Sequence, residues 1–576
     1  LLGPAACLTL AGAWEARLGL DVREHLQATR DALERLPASA PELMDGALAD
    51  ARRHAAEARR LTAGPDWSLL TRSPLVGDGA TAVRGLADTA ADLTDVLATV
   101  HQSGERLVRP GGFSMRDAPR MLGELAAAGP GLDSAVTRID QARQRLAATP
   151  ADTGLTELDA ARATALRETD RLLGYLHAAA GAAALLPPML GHDGPRHYFL
   201  AFQTNAESRG TGGLVGAFGI LRAGHGKIGI DRLSANTGLA ESPVPVADHG
   251  RAYRARYGRE ALSMLSISNL SPHFPYAAAT WAGLWERQTG QRLDGAIATD
   301  PVGLSRLLEL IGPVKLPDGT VVTARNVVDL TEREAYARFD DPQRRKRFLI
   351  RIAGAVSEAM FQARPDPLRA VSVLTRMVEE RRIQIWSRHD AEERRLAATP
   401  LGGVLPRDPG PFAGLVVNNS AGNKLDYYLN RSLEYRLGRC SPSGWRASRV
   451  RVRLDNDVPR RSLPEYVTTR LDAPDQRHAE GSTLLWVSLY AGVGARAEEV
   501  RVDGERIEPI REVERSHPVY STVLEFAPGQ ARTVDFLLME PASAAAPEVP
   551  VQPLVRPQTT RILQDQRGCL SPSPQG

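Results

Sequence analysis

From Trp14 to about Leu185 apolar residues recur at helical spacing, as at Leu26, Thr29, Leu33 and Leu36, in a background rich in Ala, Leu and Arg. This pattern predicts amphipathic helices, and breaks at Ala63-Gly64-Pro65, Gly77-Asp78-Gly79, Pro110-Gly111-Gly112 and Thr149-Pro150 divide them into ordinary lengths. A helical bundle or stalk over 14–188 follows. The texture changes at Leu186-Pro187-Pro188: short apolar runs at 197–202 and 214–221, and 227–230 beyond a turn, read as strands. Helices are expected at 275–289, 301–311 and 342–360, with a strand at 295–299 among them. Strands interleaved with helices predict an α/β domain over 189–365. Beyond a Pro- and Arg-rich connector, 366–406, strand-like runs return at 415–417, 433–437, 450–454 and 484–489. The alternation in Val450-Arg451-Val452-Arg453-Leu454 marks a strand with one wet face. With turns such as Asp503-Gly504 this predicts a β-sandwich over 407–545. Residues 546–576 read as a poorly ordered tail unless Cys569 ties them down. The expected fold class is multidomain: α, then α/β, then β.

Residues 1–13 carry no charge but are too few to span a bilayer, which takes about 20 apolar residues. They read as the end of a transmembrane helix or signal anchor, with Trp14 and Arg17 at the interface. No other 18-residue window reads as apolar. At 576 residues the chain holds several domains of about 100–200 residues each. Its 24% charged residues and net charge of +3 give no reason to expect a nucleic-acid partner. Of 71 basic residues four are lysines, Lys227, Lys315, Lys346 and Lys424. The arginine bias resembles GC-rich coding, as in actinobacteria, so a basic cluster counts only where it departs from that background. Cys7, Cys440 and Cys569 form no metal-like pair. Cys440 and Cys569 are either a disulfide of an oxidising compartment or two free thiols.

Two segments could carry chemistry. The polar run 203–213, QTNAESRGTGG, lies between apolar strands. Its glycines would let backbone N–H groups approach a ligand oxygen, with Arg209 adding a bidentate contact; the alternative is a hairpin connection with a Glu207–Arg209 salt bridge. The second segment, 336–347, gathers five cations within ten positions at the start of a helix, where free N–H groups and the helix dipole favour anions. It is a phosphate site or a solvated basic face.

The stretches QTNAESRGTGGLVGAFGIL at 203–221, LDGAIATDPVGLSRLLELIGPVKLP at 293–317 and NKLDYYLNRSLEYRL at 423–437 resemble an uncharacterised bacterial family, DUF4012, over about 190–550. That resemblance implies no activity. More distantly, the order of motifs in the α/β domain resembles the LytR-CpsA-Psr phosphotransferases, which move glycans from polyprenyl-pyrophosphate carriers to the cell wall. The resemblance implies a phosphate pocket lined by Arg209, Arg338, Arg344 and Arg347. It also implies magnesium, held in that family by an acid where this chain has Thr211, with Asp300, Asp340 and Asp341 as possible replacements. No cation stands in 234–237, where a further family arginine would fall. Transfer depends on positioning and charge neutralisation, so these departures imply binding without efficient turnover.

The function expected is that of a membrane-anchored, extracytoplasmic cell-envelope protein that binds a lipid-linked or phosphorylated glycan. The alternatives are a structural or interaction protein of the cell surface with a silent α/β domain, and an active glycopolymer phosphotransferase. A hydrolase is disfavoured, since no Gly-x-Ser-x-Gly elbow is present.

Overall fold

The structure, a computed structural model, describes residues 17–35, 41–107, 118–363, 365–459, 463–565 and 569. The expected membrane segment 1–13, Cys7 and the break at 110–112 lie outside the described residues. The chain divides into two units at Gly194/Pro195.

The first unit is helical: α1 (Arg17–Arg35), α2 (Pro41–Ala63), α3 (Pro65–Leu70), α4 (Gly77–Leu107), α5 (Ala118–Ala147) and α6 (Thr156–Met189). Val22, Leu26, Thr29 and Leu33 form the buried stripe of α1, and Thr29 bonds back to the His25 carbonyl at 2.8 Å. On α4 the buried Asp92 collects Arg59 of α2 with Arg138 and Arg145 of α5. Two expectations are corrected. The helix α6 runs through Pro187 and Pro188 to Met189, so the two prolines lie in its last turn and do not end it. That helix is also long and apolar enough to cross a membrane, although 44% of its apolar window is buried within the structure.

The second unit opens with β1 (Arg196–Arg209), β2 (Gly212–Gly224), β3 (Lys227–Ala235) and β4 (Gly295–Thr299). A small pair follows, β5 (Val314–Lys315) and β6 (Val321–Val322), and then β7 (Ile383–Ser387). The main sheet has the order β3-β2-β1-β4-β7. Its β1/β4 pair is parallel and its other pairs antiparallel. Phe199 and Ala201 pack towards the helix Phe274–Thr289, with Trp281 and Trp285. Phe202, on the opposite face, packs with Leu304, Leu308, Phe348 and Ile352 from the helices Pro301–Ile311 and Pro342–Gln362. This sheet reaches into the supposed connector, since β7 is its edge strand.

The strand-rich region comprises β8 (Ala413–Asn419), β9 (Leu429–Cys440), β10 (Trp445–Asn456), β11 (Thr483–Ala491), β12 (Arg496–Val502), β13 (Glu505–Ile507), β14 (Ile510–Glu514), β15 (His517–Phe526), β16 (Ala531–Pro541) and β17 (Gln558–Gln564). Two sheets, ordered β13-β12-β16-β10-β9-β17 and β14-β15-β11-β8, share one apolar core that includes Leu415, Tyr435, Val452, Val487 and Phe536. Asp503 and Gly504, both at positive φ, form the expected turn between β12 and β13. The segment read as a tail is an integral part: Gln552 and Leu554 are buried, and β17 pairs in parallel with β9. Cys440 and Cys569 are disulfide-bonded, with Cα atoms 5.0 Å apart across a separation of 129 residues. Replacing Cys440 by Ser is expected to cost about 2–4 kcal/mol, read as a drop in melting temperature that reductant reproduces in the unsubstituted protein.

Candidate functional site

The polar run 203–213 is not an open loop. The strand β1 continues to Arg209, and only Gly210 and Thr211 turn the chain into β2. A Cβ on Gly210 would collide with the Leu270 carbonyl, and one on Gly213 with that of Thr204, so these glycines serve close backbone packing. Between Thr204 and Ser208 the β1/β2 register slips. The bulge takes Asn205, Ala206 and Glu207 out of the ladder, and their N–H groups need partners elsewhere.

Those partners come from distant segments. The carboxylate of Glu332 accepts from the N–H groups of Asn205 at 3.1 Å and Ala206 at 2.8 Å. Asp426 accepts from Ser208 N–H at 2.8 Å and from Asn419 Nδ2 at 3.0 Å. Asn205 Nδ2 donates to the Pro553 carbonyl at 2.9 Å, and Gln552 Nε2 to that of Arg209 at 2.7 Å. Glu207 lies between two cations, Arg209 at 2.7 Å and Lys424. The motif therefore ties the α/β region to the strand-rich region through buried polar bonds.

Burial sets the charge of each group. Burial opposes ionisation of Glu207, but Arg209 and Lys424 outweigh it and hold its pKa below the ordinary value. For Glu332 burial prevails over its two N–H bonds and pushes the pKa to about 8, with nearby Asp300 adding to the rise. Burial also raises Asp426. At neutral pH Glu332 therefore carries a proton and can donate it in a hydrogen bond.

Beside this lattice opens a cavity of about 400 Å³, lined by Glu332, Arg333, Lys424, Tyr428 and Val467 among others. Of its lining residues, Tyr428, Leu463 and Val467 share an apolar cluster with Tyr336 and Tyr427. Tyr466 stacks on Tyr336 at 5.8 Å while remaining 46% exposed. Cations interleave with these rings: Arg345 lies 3.8 Å and Lys424 5.6 Å from the Tyr466 ring, Arg333 5.9 Å from Tyr427 and Arg556 5.9 Å from Tyr428. The buried Nε of Arg333 and Oη of Tyr428 have no hydrogen-bond partner. Four of the chain's 12 tyrosines gather here. A second cavity of about 50 Å³ is lined by Asp300, Glu332 and Lys346 with apolar Phe202, Leu304 and Ile352.

The residues singled out in the sequence do not converge. Arg209 is buried and spent on Glu207 and on the carbonyls of Ser266, Ser208 and Asn419. Thr211 is buried and bonded to Asn269 and Gln203. Arg338 is exposed, 3.8 Å from Asp318, and Arg344 is exposed, 3.8 Å from Asp341; Arg347 is exposed too. Substituting Arg338 and Arg344 by Ala is therefore expected to move stability by no more than about 0.5 kcal/mol each, a thermal melt being the check. The three candidate metal carboxylates are engaged elsewhere or face water. Asp300 caps the helix Pro301–Ile311 through Gly303 N–H at 2.7 Å and pairs with Arg382 at 2.8 Å. Asp341 caps the helix Pro342–Gln362, and Asp340 is exposed. Among the described residues no three His, Cys, Asp or Glu side chains converge on one point. The residues present do not fit the magnesium site that the distant resemblance implies.

Sequence reasoning missed Glu332, Tyr428, Tyr466 and the role of Lys424. A signal existed: in a chain where almost every basic residue is arginine, Lys346 and Lys424 each line a cavity.

Comparison with known proteins bears on the first part of this unit. Residues 193–336 match the family described as protein of unknown function DUF4012. The DUF4012 match covers β1 with its bulge, Glu332 and Tyr336, so one side of the lattice and one wall of the cavity belong to the matched segment. Lys424, Asp426 and Tyr428 lie beyond it. No curated protein matches the chain. A crystal structure from Legionella pneumophila that carries the name of a nutrient binding protein aligns with 7% identity over 23% of this chain and 44% of that one, at a TM-score of 0.16. The chain thus spans less than half of that protein, and at that score the likeness carries no argument about fold.

Proposed function

We propose that the Pro195–Gly576 unit is a glycan-binding module of the cell envelope, held at the extracytoplasmic face of a membrane by the apolar N-terminal segment. In this reading it binds a phosphorylated or lipid-linked sugar without turning it over. The observation that carries the reading is the cavity itself. A volume of about 400 Å³ lies within the range of small-ligand sites, and its lining sets the Tyr428 ring and apolar Leu463 and Val467 beside a few placed polar groups, the usual make-up of such sites. Tyrosine rings present apolar faces to a sugar and polar tips to its hydroxyls. Protonated Glu332 supplies a donor, and Arg333 and Lys424, which rest on Asp329 and Glu207, would turn their remaining N–H groups to a phosphate. The disulfide between Cys440 and Cys569 supports an oxidising compartment, where such bonds persist. In the same reading the two-sheet region is a sandwich that closes the cavity from one side.

Isothermal titration with a glycosyl phosphate and with the same sugar lacking phosphate tests the proposal. Tyr466→Ala and Arg333→Ala are expected to weaken binding of the glycosyl phosphate at least tenfold, and only the second to narrow the preference for phosphate. Arg344→Ala is expected to leave both affinities unchanged. Loss of affinity in Arg344→Ala with none in Tyr466→Ala would place the ligand on the basic helix start instead.

A further inference from the structure

The outward face of the six-stranded sheet in the strand-rich region is built differently from the rest of the surface. Directly paired residues share a face, so the register places Arg506, Arg501, Asp535, Arg451, Glu434 and Arg561 in one row across all six strands. At about 4.8 Å per strand this row is about 24 Å long. On β10 Arg449 and Arg453 flank Arg451 on the same face, and Arg436 of β9 lies opposite Arg449. All seven arginines are exposed. Three carboxylates answer them. Asp535 is shared by Arg449 and Arg451, each at 2.9 Å. Glu434 is shared by Arg436 at 3.1 Å and Arg561 at 3.9 Å, and Glu499 serves Arg501 at 2.7 Å.

Asp455, two residues beyond Arg453 on β10, shares the face, so these seven arginines stand against four carboxylates, whereas the chain as a whole holds 71 basic and 68 acidic residues. The cluster therefore departs from the chain-wide balance of charge. A solvated strand face needs no such imbalance; alternating signs would keep it soluble and cost less repulsion across the sheet. Exposed pairs such as these are weakly held, and their guanidinium groups are free to exchange a shared carboxylate for a better anion.

We propose that this face binds a linear polyanion laid across the strands. Successive guanidinium groups along the row would each meet a phosphate or carboxylate of the polymer. A row that crosses every strand suits an extended chain, and its strength comes from release of counterions, so affinity falls steeply with salt.

The test uses the full chain with three probes: inorganic polyphosphate, polyglutamate, and vesicles containing phosphatidylglycerol. The chain is expected to bind polyphosphate at low salt. The triple substitution Arg451→Ser, Arg501→Ser, Arg561→Ser should weaken that binding at least tenfold and flatten its salt dependence. Binding of polyglutamate as well would assign the face to charge in general, and its absence would assign it to phosphate. A control triple, Arg338→Ser, Arg344→Ser, Arg347→Ser, removes as much charge from the exposed helix start and should bind as the unsubstituted protein does. Circular dichroism melts verify that both triples are folded. Equal weakening in both triples, no binding to either polymer, or binding to the vesicles alone would overturn the proposal.

Discussion

Replacement of Glu207 by Ala is expected to destabilise the Pro195–Gly576 unit by about 3–5 kcal/mol, because it strands the buried charges of Arg209 and Lys424. Taking two cations out of water is repaid in the native state by a carboxylate between them. Without it both are left buried with no counter-ion. The same physics predicts a rescue. Replacing the whole trio by apolar residues of similar size, as Glu207→Leu, Arg209→Met and Lys424→Met together, should recover part of the loss, since it removes every buried charge but leaves the carbonyls that Arg209 serves without that donor. Urea unfolding followed by tryptophan fluorescence measures both. A Glu207→Ala variant as stable as the parent would show that the trio does not hold the two regions together.

The second large effect concerns pH. Glu332 titrates near pH 8 in the folded chain against an ordinary value of 4.5. Between these values the folded form keeps a proton that the unfolded form has released. Its contribution to stability is therefore complete below about pH 4.5 and declines as pH rises towards 8, by about 1.4 kcal/mol per pH unit, flattening above that. Glu332→Gln removes the titration, but its amide nitrogen would face the N–H of Asn205 or Ala206, a donor against a donor. That variant should be less stable than the parent at pH 5 by about 1–3 kcal/mol. The gap should close or reverse by pH 8. Parallel stability profiles for the two proteins would show that Glu332 is ionised throughout.

Much of the architecture is legible in the chain because it rests on local rules. The strand at 295–299 and the helix at 301–311 fall where expected, since an Asp300 cap followed by Pro301 fixes a helix start within four residues. The alternation of Val450 to Leu454 likewise gives the exposed arginines of β10. What was illegible depends on distant partners. The run from Gln203 to Gly213 looks like a solvated loop because seven of its eleven residues are polar or charged, yet all but the half-buried Thr204 are buried. Their bonds go to Glu332, Asp426, Gln552 and Pro553, more than a hundred residues away. The five cations near residue 345 misled for the opposite reason. Local density of charge reads as a site, but of these Arg345 alone is buried, packed on Tyr466, and the arginines at 338, 344 and 347 face water.

The central claim is that the polar signature of β1 is an internal lattice, and that the ligand site is the cavity beside it that Tyr428 lines. Soaking crystals of the full chain with a glycosyl phosphate tests this most directly. The account predicts density for the sugar against Tyr466 and Tyr428, with its phosphate towards Arg333 and Lys424, and an undisturbed Glu207–Arg209 pair. Density between Arg209 and the 338–347 segment, with the Glu207–Arg209 pair broken, would contradict it.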